Sequence, residues 1–161
     1  MVSFAHFEQK YNPTIFATNM IGTMNNLALK FIAPGTPVAK GRARVSSRGG
    51  FIRHYTPEKT VSYENTVRGY AVQAMRKANM QIIDVPCGLE LMIYMPIPAK
   101  WSKSKKEKAK KGELRPGIKP DCSNLAKAIE DAMNGVVYTD DKFICALYIQ
   151  KFYSDLPRAE I

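Results

Sequence analysis

A helix, a turn and a strand are encoded in succession over residues 121–154, and this succession constrains the fold more than any other part of the sequence. Five apolar residues fall within about 140° of arc on a helix that turns by about 100° per residue, which predicts one buried face. They are Leu125, Ala128, Ile129, Ala132 and Met133. Asn134 and Gly135 are typical of a helix C-terminus. After the turn "TDD", residues 142–154 are rich in β-forming side chains and predict a strand.

Three further segments complete the expected architecture. Residues 55–78 contain Thr56 as a candidate N-cap and Pro57 at the first helical position, and their apolar residues recur at spacings of three and four. Residues 27–34 and 87–98 are rich in β-formers and end at prolines, so both predict strands. We therefore expect an α/β fold, in the broad sense that includes α+β, with a mixed sheet and two main helices in a single domain.

Residues 1–27 differ from the rest of the chain because they show no sustained period of either 2 or 3.6. The sequence therefore predicts a weakly ordered N-terminal extension, followed by the folded domain over residues 28–161. Met24 is a candidate alternative initiator.

The chain carries 24 Lys and Arg against 14 Asp and Glu, for a net charge of +10. Such a field attracts polyanions, so nucleic acid is the expected partner. The alternative is that the lysines only keep the protein soluble. Residues 28–57 contain no acidic residue, and residues 100–119 hold nine basic residues against two acidic ones. The candidate DNA contacts in these two segments are Lys40, Arg42, Arg44, Arg48, Lys103, Lys105, Lys106 and Lys119.

Cysteine and hydropathy patterns bear on the location of the protein. The three cysteines form no C-x-x-C pair and the two histidines lie far apart, so we expect neither a zinc site nor a disulfide framework. This usage fits a reducing cytoplasm. No stretch approaches the roughly 18 apolar residues of a membrane span, and residues 1–16 lack the basic and apolar regions of a signal peptide. We expect a cytoplasmic protein with no membrane association.

Five of the fourteen carboxylates lie in the helix–turn–strand segment, at Asp121, Glu130, Asp131, Asp140 and Asp141. Hydrolysis of a phosphodiester needs a nucleophilic water and neutralisation of charge, and Mg²⁺ held by carboxylates supplies both. A helix of ~13 residues spans about 20 Å, and the seven residues "GVVYTDD" can cover about 23 Å, so the two ends of the motif meet if the chain doubles back. The alternative is an N-cap aspartate followed by an Asp-rich turn. The basic segments favour the metal, because uncompensated carboxylates would repel the polyanion that those segments attract.

The residues of this motif also carry a family resemblance. "KPDCSNLAKAIEDAMNGVVYTDDKFI" resembles the signature of the RusA family of Holliday junction resolvases, which runs approximately K-P-D-x-D-N-L-x-K, then D-A-L-N-G, then Y-x-D-D-x-x-I. "GTPVAKGRARV", "YTPEKTVSYE" and "MPIPAKWSKSKKEKA" are similar to the family's basic loop, first helix and basic insertion, so the resemblance covers roughly residues 28–161.

The resemblance implies both an activity and a setting. The expected activity is a Mg²⁺-dependent endodeoxyribonuclease, with Mn²⁺ as a substitute metal, that cuts four-way DNA junctions in recombination and repair. It also implies a RusA-like fold, a homodimer that suits the two-fold symmetry of paired cuts, and a bacterial or phage setting.

The resemblance assigns roles to individual residues. Asp121 and Asp141 match metal-binding aspartates, and Asp140 is a neighbouring candidate ligand. The expected catalytic residues are Asp121, Lys127 and Asp141. Lys127 matches the essential lysine, which would contact the scissile phosphate or stabilise developing charge; its alternative role is a surface lysine. Asn124 and Asp131 match further positions of the family's helix motif.

Ser123 departs from the family pattern, which has a second aspartate at this position. A hydroxyl is a poorer Mg²⁺ ligand than a carboxylate and brings no charge, so the site loses about one negative charge and Ser123 is at best a weak metal ligand. Two alternatives to an active nuclease follow. One is a junction-binding protein whose catalysis is impaired by Ser123, and the other is a basic RNA-binding module.

Overall fold

The computed structural model describes residues 28–42, 44–48 and 51–161, and the predicted extension over residues 1–27 lies outside the described residues. Three helices are formed, namely α1 (Glu58–Ala78), α2 (Lys103–Lys110) and α3 (Cys122–Met133). The strands are β1 (Ile32–Pro34), β2 (Arg44–Arg48), β3 (Phe51–Tyr55), β4 (Cys87–Pro96), β5 (Ile144–Ser154) and β6 (Arg158–Glu160). Within these ranges, no helix is long and apolar enough to cross a membrane.

Four strands form a mixed sheet in the order β1-β6-β4-β5. The central strands β4 and β5 are parallel, whereas β6 is antiparallel to both β4 and β1. The hairpin β2–β3 forms a separate two-stranded sheet. This arrangement confirms the predicted single domain with a mixed sheet and two main helices, and α2 adds a short third helix.

One face of the sheet is covered by α1 and α3, which also pack against each other. Side chains alternate along β4, so Leu91 and Ile93 are fully buried while Gly88 and Glu90 are exposed. The core beneath the helices includes Val67, Ala71, Leu125 and Ile129, all of them inaccessible to solvent. The apolar stripes of both helices are therefore core, as their periodicity predicts.

Helix α1 begins one residue later than its sequence predicts. Pro57 is extended (φ −55°, ψ 138°) and occupies the N-cap position. Its carbonyl accepts hydrogen bonds from the N–H groups of Thr60 (2.9 Å) and Val61 (3.2 Å), which defines the first turn. At the other end, Asn79 ends the helix in the left-handed region at φ 50°, a conformation that Asn tolerates better than most residues.

The connection between β4 and β5 holds most of the polar motifs. Parallel neighbours need a crossover connection, and here it comprises residues 97–143. It contains the lysine-rich α2, the motif helix α3 and a short 3₁₀ helix, Asp141–Phe143. The basic and acidic motifs are thus parts of one connection anchored at both ends by adjacent strands.

Candidate active site

The start of α3 positions Asp121. This residue is the N-cap, with extended backbone (φ −72°, ψ 151°), yet its carboxylate makes no capping hydrogen bond. Among the described residues it also joins no ion pair, and it is exposed. The carboxylate of Asp121 is therefore accessible to solvent at the place where the motif begins. The sequence left two roles open for Asp121, a metal ligand and an N-cap. Asp121 does occupy the N-cap position, but its side chain makes no capping hydrogen bond.

Lys151 of β5 holds the backbone just before Asp121. Its ammonium group donates to the carbonyl oxygens of Ile118 (3.0 Å) and Pro120 (2.9 Å). Sequence reasoning placed Lys151 in a strand without a role. The only signal was a charged residue within the apolar run "LYIQKFY".

The chain reverses direction directly after α3. Gly135 takes a positive φ of 71°, where a side chain would be strained, and Val136 and Val137 bond back to the carbonyl of Met133. The hydroxyl of Tyr138 then donates to the carbonyl of Glu130 at 2.8 Å. The segment "GVVYTDD" thus returns alongside α3.

Asp140 and Asp141 have different roles in the turn that follows. The carboxylate of Asp140 caps the 3₁₀ helix by accepting from the N–H of Lys142 at 2.9 Å. The carboxylate of Asp141 instead accepts a hydrogen bond from Nζ of Lys127 at 2.6 Å. The reversal therefore brings the end of the motif onto α3 at Lys127.

Lys127 belongs to a longer series of ion pairs. Its Nζ also lies 3.1 Å from Oδ1 of Asp131. The other oxygen of Asp131, Oδ2, lies 2.7 Å from Nζ of Lys40, and the same Nζ lies 2.7 Å from Oε1 of Glu64. We call these five residues, Glu64, Lys40, Asp131, Lys127 and Asp141, the ion-pair chain. It links α1, the loop after β1, α3 and the 3₁₀ helix in alternating charge.

The ion-pair chain shifts the pKa values of Lys127 and Asp131 in opposite directions. The hydrogen bond to Asp141 raises the pKa of Lys127 against the lowering effect of burial, and Asp131 raises it further. Burial alone would raise the pKa of Asp131, but hydrogen bonds from Lys40 and Lys127 outweigh it and hold that pKa below its usual value. Lys127 is thus an ammonium ion at neutral pH. It can neutralise charge or donate a proton, but it cannot accept one.

The sequence analysis gave no role to Glu64 and predicted a DNA contact for Lys40. Glu64 carries only the weak signal of an acidic residue on the polar side of α1, and Lys40 is one of several basic residues in its segment. In the structure Lys40 binds two carboxylates, and its side chain is only 30% exposed. Arg42, two residues later, is exposed.

Ser123 and Asn124 lie on the exposed first turn of α3. The carbonyl of Asn124 accepts a hydrogen bond from the N–H of Lys40 at 2.8 Å, which ties the loop after β1 to the motif helix. In the part of the chain that the structure describes, no three His, Cys, Asp or Glu side chains are grouped closely enough to hold a metal ion.

The basic connection before α3 is attached to the sheet by its apolar residues. Trp101 packs edge-on against Tyr153, with ring centroids 5.0 Å apart. Within α2 only Ala109 is buried, and Nζ of Lys105 lies 4.2 Å from the centroid of the Trp101 ring.

The cations of this connection differ from those of the ion-pair chain. Within the described residues, the side chains of Lys103, Lys105 and Lys106 pair with no carboxylate, and Lys119 is exposed and equally unpaired. Lys110 differs, because it lies 2.8 Å from Asp155. The predicted contacts Arg44 and Arg48 lie in β2.

The match to a family model defines the class of this protein as an endodeoxyribonuclease. The family model described as "Endodeoxyribonuclease RusA" matches residues 34–161, which include strands β2 to β6, helices α1 to α3 and the whole ion-pair chain.

The chain belongs to the RusA family of Holliday junction resolvases, which confirms the predicted family, fold class and enzyme class. It is also 40% identical over 135 residues to the uncharacterized protein YqaN of Bacillus subtilis (strain 168). That similarity covers 83% of this chain and 93% of YqaN.

Proposed function

We propose that the protein cuts four-way DNA junctions in recombination and repair by Mg²⁺-dependent hydrolysis, with Mn²⁺ as a substitute metal. The observation that carries the proposal is the 2.6 Å pair between Lys127 and Asp141, because it brings the carboxylate at the end of the acidic motif onto the motif helix. The membership of the chain in the RusA family supports the same substrate.

The donor chemistry of the motif fits a hard divalent cation. Asp121 and Asp141 offer carboxylate oxygens, the ligands that Mg²⁺ prefers, and Asp140 is a further candidate although it also caps the 3₁₀ helix. Because no larger group of ligands is assembled among the described residues, we propose two protein carboxylates with water in the remaining positions. When bound, the metal would lower the pKa of an attacking water and neutralise the phosphate.

Lys127 would supply the fixed positive charge of the reaction. Its ammonium group is held between Asp131 and Asp141, and its raised pKa keeps it protonated. A cation placed beside a metal-binding carboxylate can stabilise charge that develops on a non-bridging or leaving oxygen of the phosphate. Asn124 would hold the loop after β1 through its carbonyl, and Asp131 would hold Lys127.

The DNA surface would be formed by basic residues outside the ion-pair chain. We propose Lys103, Lys105, Lys106 and Lys119 of the crossover connection, together with Arg42, Arg44 and Arg48 after β1. Contacts to phosphates report backbone geometry more than base sequence, which suits an enzyme that selects branched DNA.

A homodimer would place two sites for symmetric cuts across a four-way junction. The relative from Bacillus subtilis supports a bacterial or phage setting, and hence action in the cytoplasm. Sedimentation at several protein concentrations tests the oligomer, because a monomer at all concentrations would contradict the dimer.

Incubation of the purified protein with a synthetic four-way junction tests the proposed activity. Paired cuts in Mg²⁺ or Mn²⁺, and none in a chelator, are expected. No cleavage over a range of both metals would overturn the proposal.

A junction-binding protein with impaired catalysis is the second candidate, and the serine at position 123 favours it. Ser123→Asp restores one carboxylate on the first turn of α3. If catalysis is impaired, this variant should cut junctions about tenfold faster or more than wild type, since each 1.36 kcal/mol of transition-state stabilisation is tenfold in rate. Equal rates of the two proteins would instead show that Ser123 does not limit the enzyme.

A further inference from the structure

Lys40 sits between the two main helices in a loop that packs tightly against both. Its own N–H bonds to the carbonyl of Asn124 on α3. The next residue, Gly41, donates its N–H to the hydroxyl of Thr60 on α1 at 3.2 Å. A Cβ at Gly41 would lie 2.8 Å from Cγ of Pro57, so only glycine allows this approach. The backbone therefore directs the Lys40 side chain into the space between the helices.

The two oxygens of Asp131 are divided between two lysines. Oδ2 lies 2.7 Å from Nζ of Lys40, and Oδ1 lies 3.1 Å from Nζ of Lys127. Lys40 also lies 2.7 Å from Glu64, so the carboxylate of Asp131 is tied through Lys40 to α1. Its orientation toward Lys127 thus depends on a cation that lies outside the sequence motif.

Charge balance gives a second reason why Lys40 matters to Lys127. The ion-pair chain contains three carboxylates and two ammonium groups. Without Lys40, Lys127 would be the only cation among three anions. Both oxygens of Asp131 would then be free to pair with Lys127. The stronger pair would hold the ammonium group of Lys127 away from an incoming phosphate.

We infer that Lys40 is a positioning residue for Lys127, acting through Asp131, and that it is not a DNA contact. The inference rests on the proposed function for its effect on turnover, while its structural part does not. Contact with DNA would require Lys40 to leave two carboxylates at 2.7 Å, whereas Lys103, Lys105 and Lys106 of α2 pair with no carboxylate within the described residues.

Three substitutions separate positioning from DNA binding. Lys40→Met removes the charge at similar length, and Lys40→Arg keeps a cation that can bind two carboxylates. Lys77→Met, at an exposed position in the last turn of α1, is the matched control and should leave cutting and binding unchanged. Thermal unfolding checks that each variant is folded.

We expect Lys40→Met to lower kcat about tenfold or more, while its junction affinity and the salt dependence of that affinity stay within about twofold of wild type. Lys40→Arg should recover most of kcat. Lys103→Met should instead weaken binding and reduce the salt dependence. An unchanged kcat for Lys40→Met, or a loss of affinity like that of Lys103→Met, would overturn the inference.

The ammonium signal of Lys127 in NMR spectra of the metal-free protein gives a readout that does not need cleavage. It should shift or broaden in Lys40→Met and stay unchanged in Lys77→Met. If wild type cuts no junction, the proposed function fails, yet this signal still decides whether Lys40 positions Lys127. An unchanged Lys127 signal in Lys40→Met would overturn the inference by itself.

Glu64→Gln serves if Lys40→Met does not fold. It releases Lys40 from α1 but leaves its pair with Asp131. A smaller decrease in kcat, about twofold to fivefold, is expected with unchanged junction affinity. A decrease in affinity, or no change in kcat, would count against the positioning role.

Discussion

The lysines of the ion-pair chain and those of the first turn of α2 have opposite environments. Lys40 and Lys127 each contact two carboxylates at distances of 2.6 to 3.1 Å. Among the described residues, Lys103 and Lys106 contact none, and Lys105 lies over an aromatic ring. Carboxylates of the protein neutralise the lysines of the ion-pair chain. The lysines at the start of α2 are instead available to bind a polyanion. A net charge of +10 therefore does not by itself identify the lysines that bind DNA.

The largest effect is expected when the first carboxylate of the acidic motif is removed. Asp121→Asn removes an exposed carboxylate that makes no capping bond, so it should leave stability unchanged and lower the rate of junction cleavage about 10²-fold or more. Single-turnover cleavage at saturating protein measures the rate, and thermal unfolding measures stability. Asp155→Asn is a control, since Asp155 pairs only with Lys110 in the described structure. Full cleavage by Asp121→Asn would remove Asp121 from the site.

The second test removes the solvent-facing charge. A variant in which Lys103, Lys105 and Lys106 are all replaced by Gln should bind a four-way junction about tenfold or more weakly. The slope of log affinity against log salt should fall by about two to three, because each phosphate contact contributes about 0.9 to it. Fluorescence anisotropy at several salt concentrations measures both. An unchanged slope would show that α2 does not contact phosphates.

The smallest effect concerns stability and pH in the ion-pair chain. The pKa of Asp131 is lowered in the folded state, so its contribution to stability is present above its unfolded pKa of 3.8 and is lost as pH falls through the lower folded value. Wild type should exceed Asp131→Asn in the free energy of unfolding by about 1 kcal/mol or less at pH 7, since the pairs are partly exposed. The difference should decrease as the pH falls below 3.8 and vanish below the lower folded pKa of Asp131, as measured by urea denaturation. A difference that grows toward acid would contradict this assignment.

Local patterns predicted the parts of the fold that local forces decide. The period of α3 identified Leu125, Ile129 and Met133, and all three are buried. The apolar run of β4 identified a central strand. By contrast, the pairing of the three-residue strands β1 and β6 depends on contacts between distant segments, and such short strands carry no period.

The site shows the same division between local and distant information. The motif placed Asp121 at the start of a helix and Asp141 in a turn, as the structure has them. The motif could not show that the side chain of Asp121 makes no capping hydrogen bond, because a side-chain rotamer depends on its surroundings. Nor could it separate Lys40 from Arg42, since Glu64 and Asp131 reach Lys40 only through the packing of α1 against α3.

The parallel pairing of β4 with β5 also sets the order in which the molecule can assemble. Asp141 reaches Lys127 because the strand that follows it, β5, pairs with a strand that precedes the whole crossover connection. Pairing between such distant segments is slow compared with the formation of a helix. We therefore expect the acidic site to form late in folding. A chain still in the course of folding has the charge to attract DNA before it has the geometry to cut it.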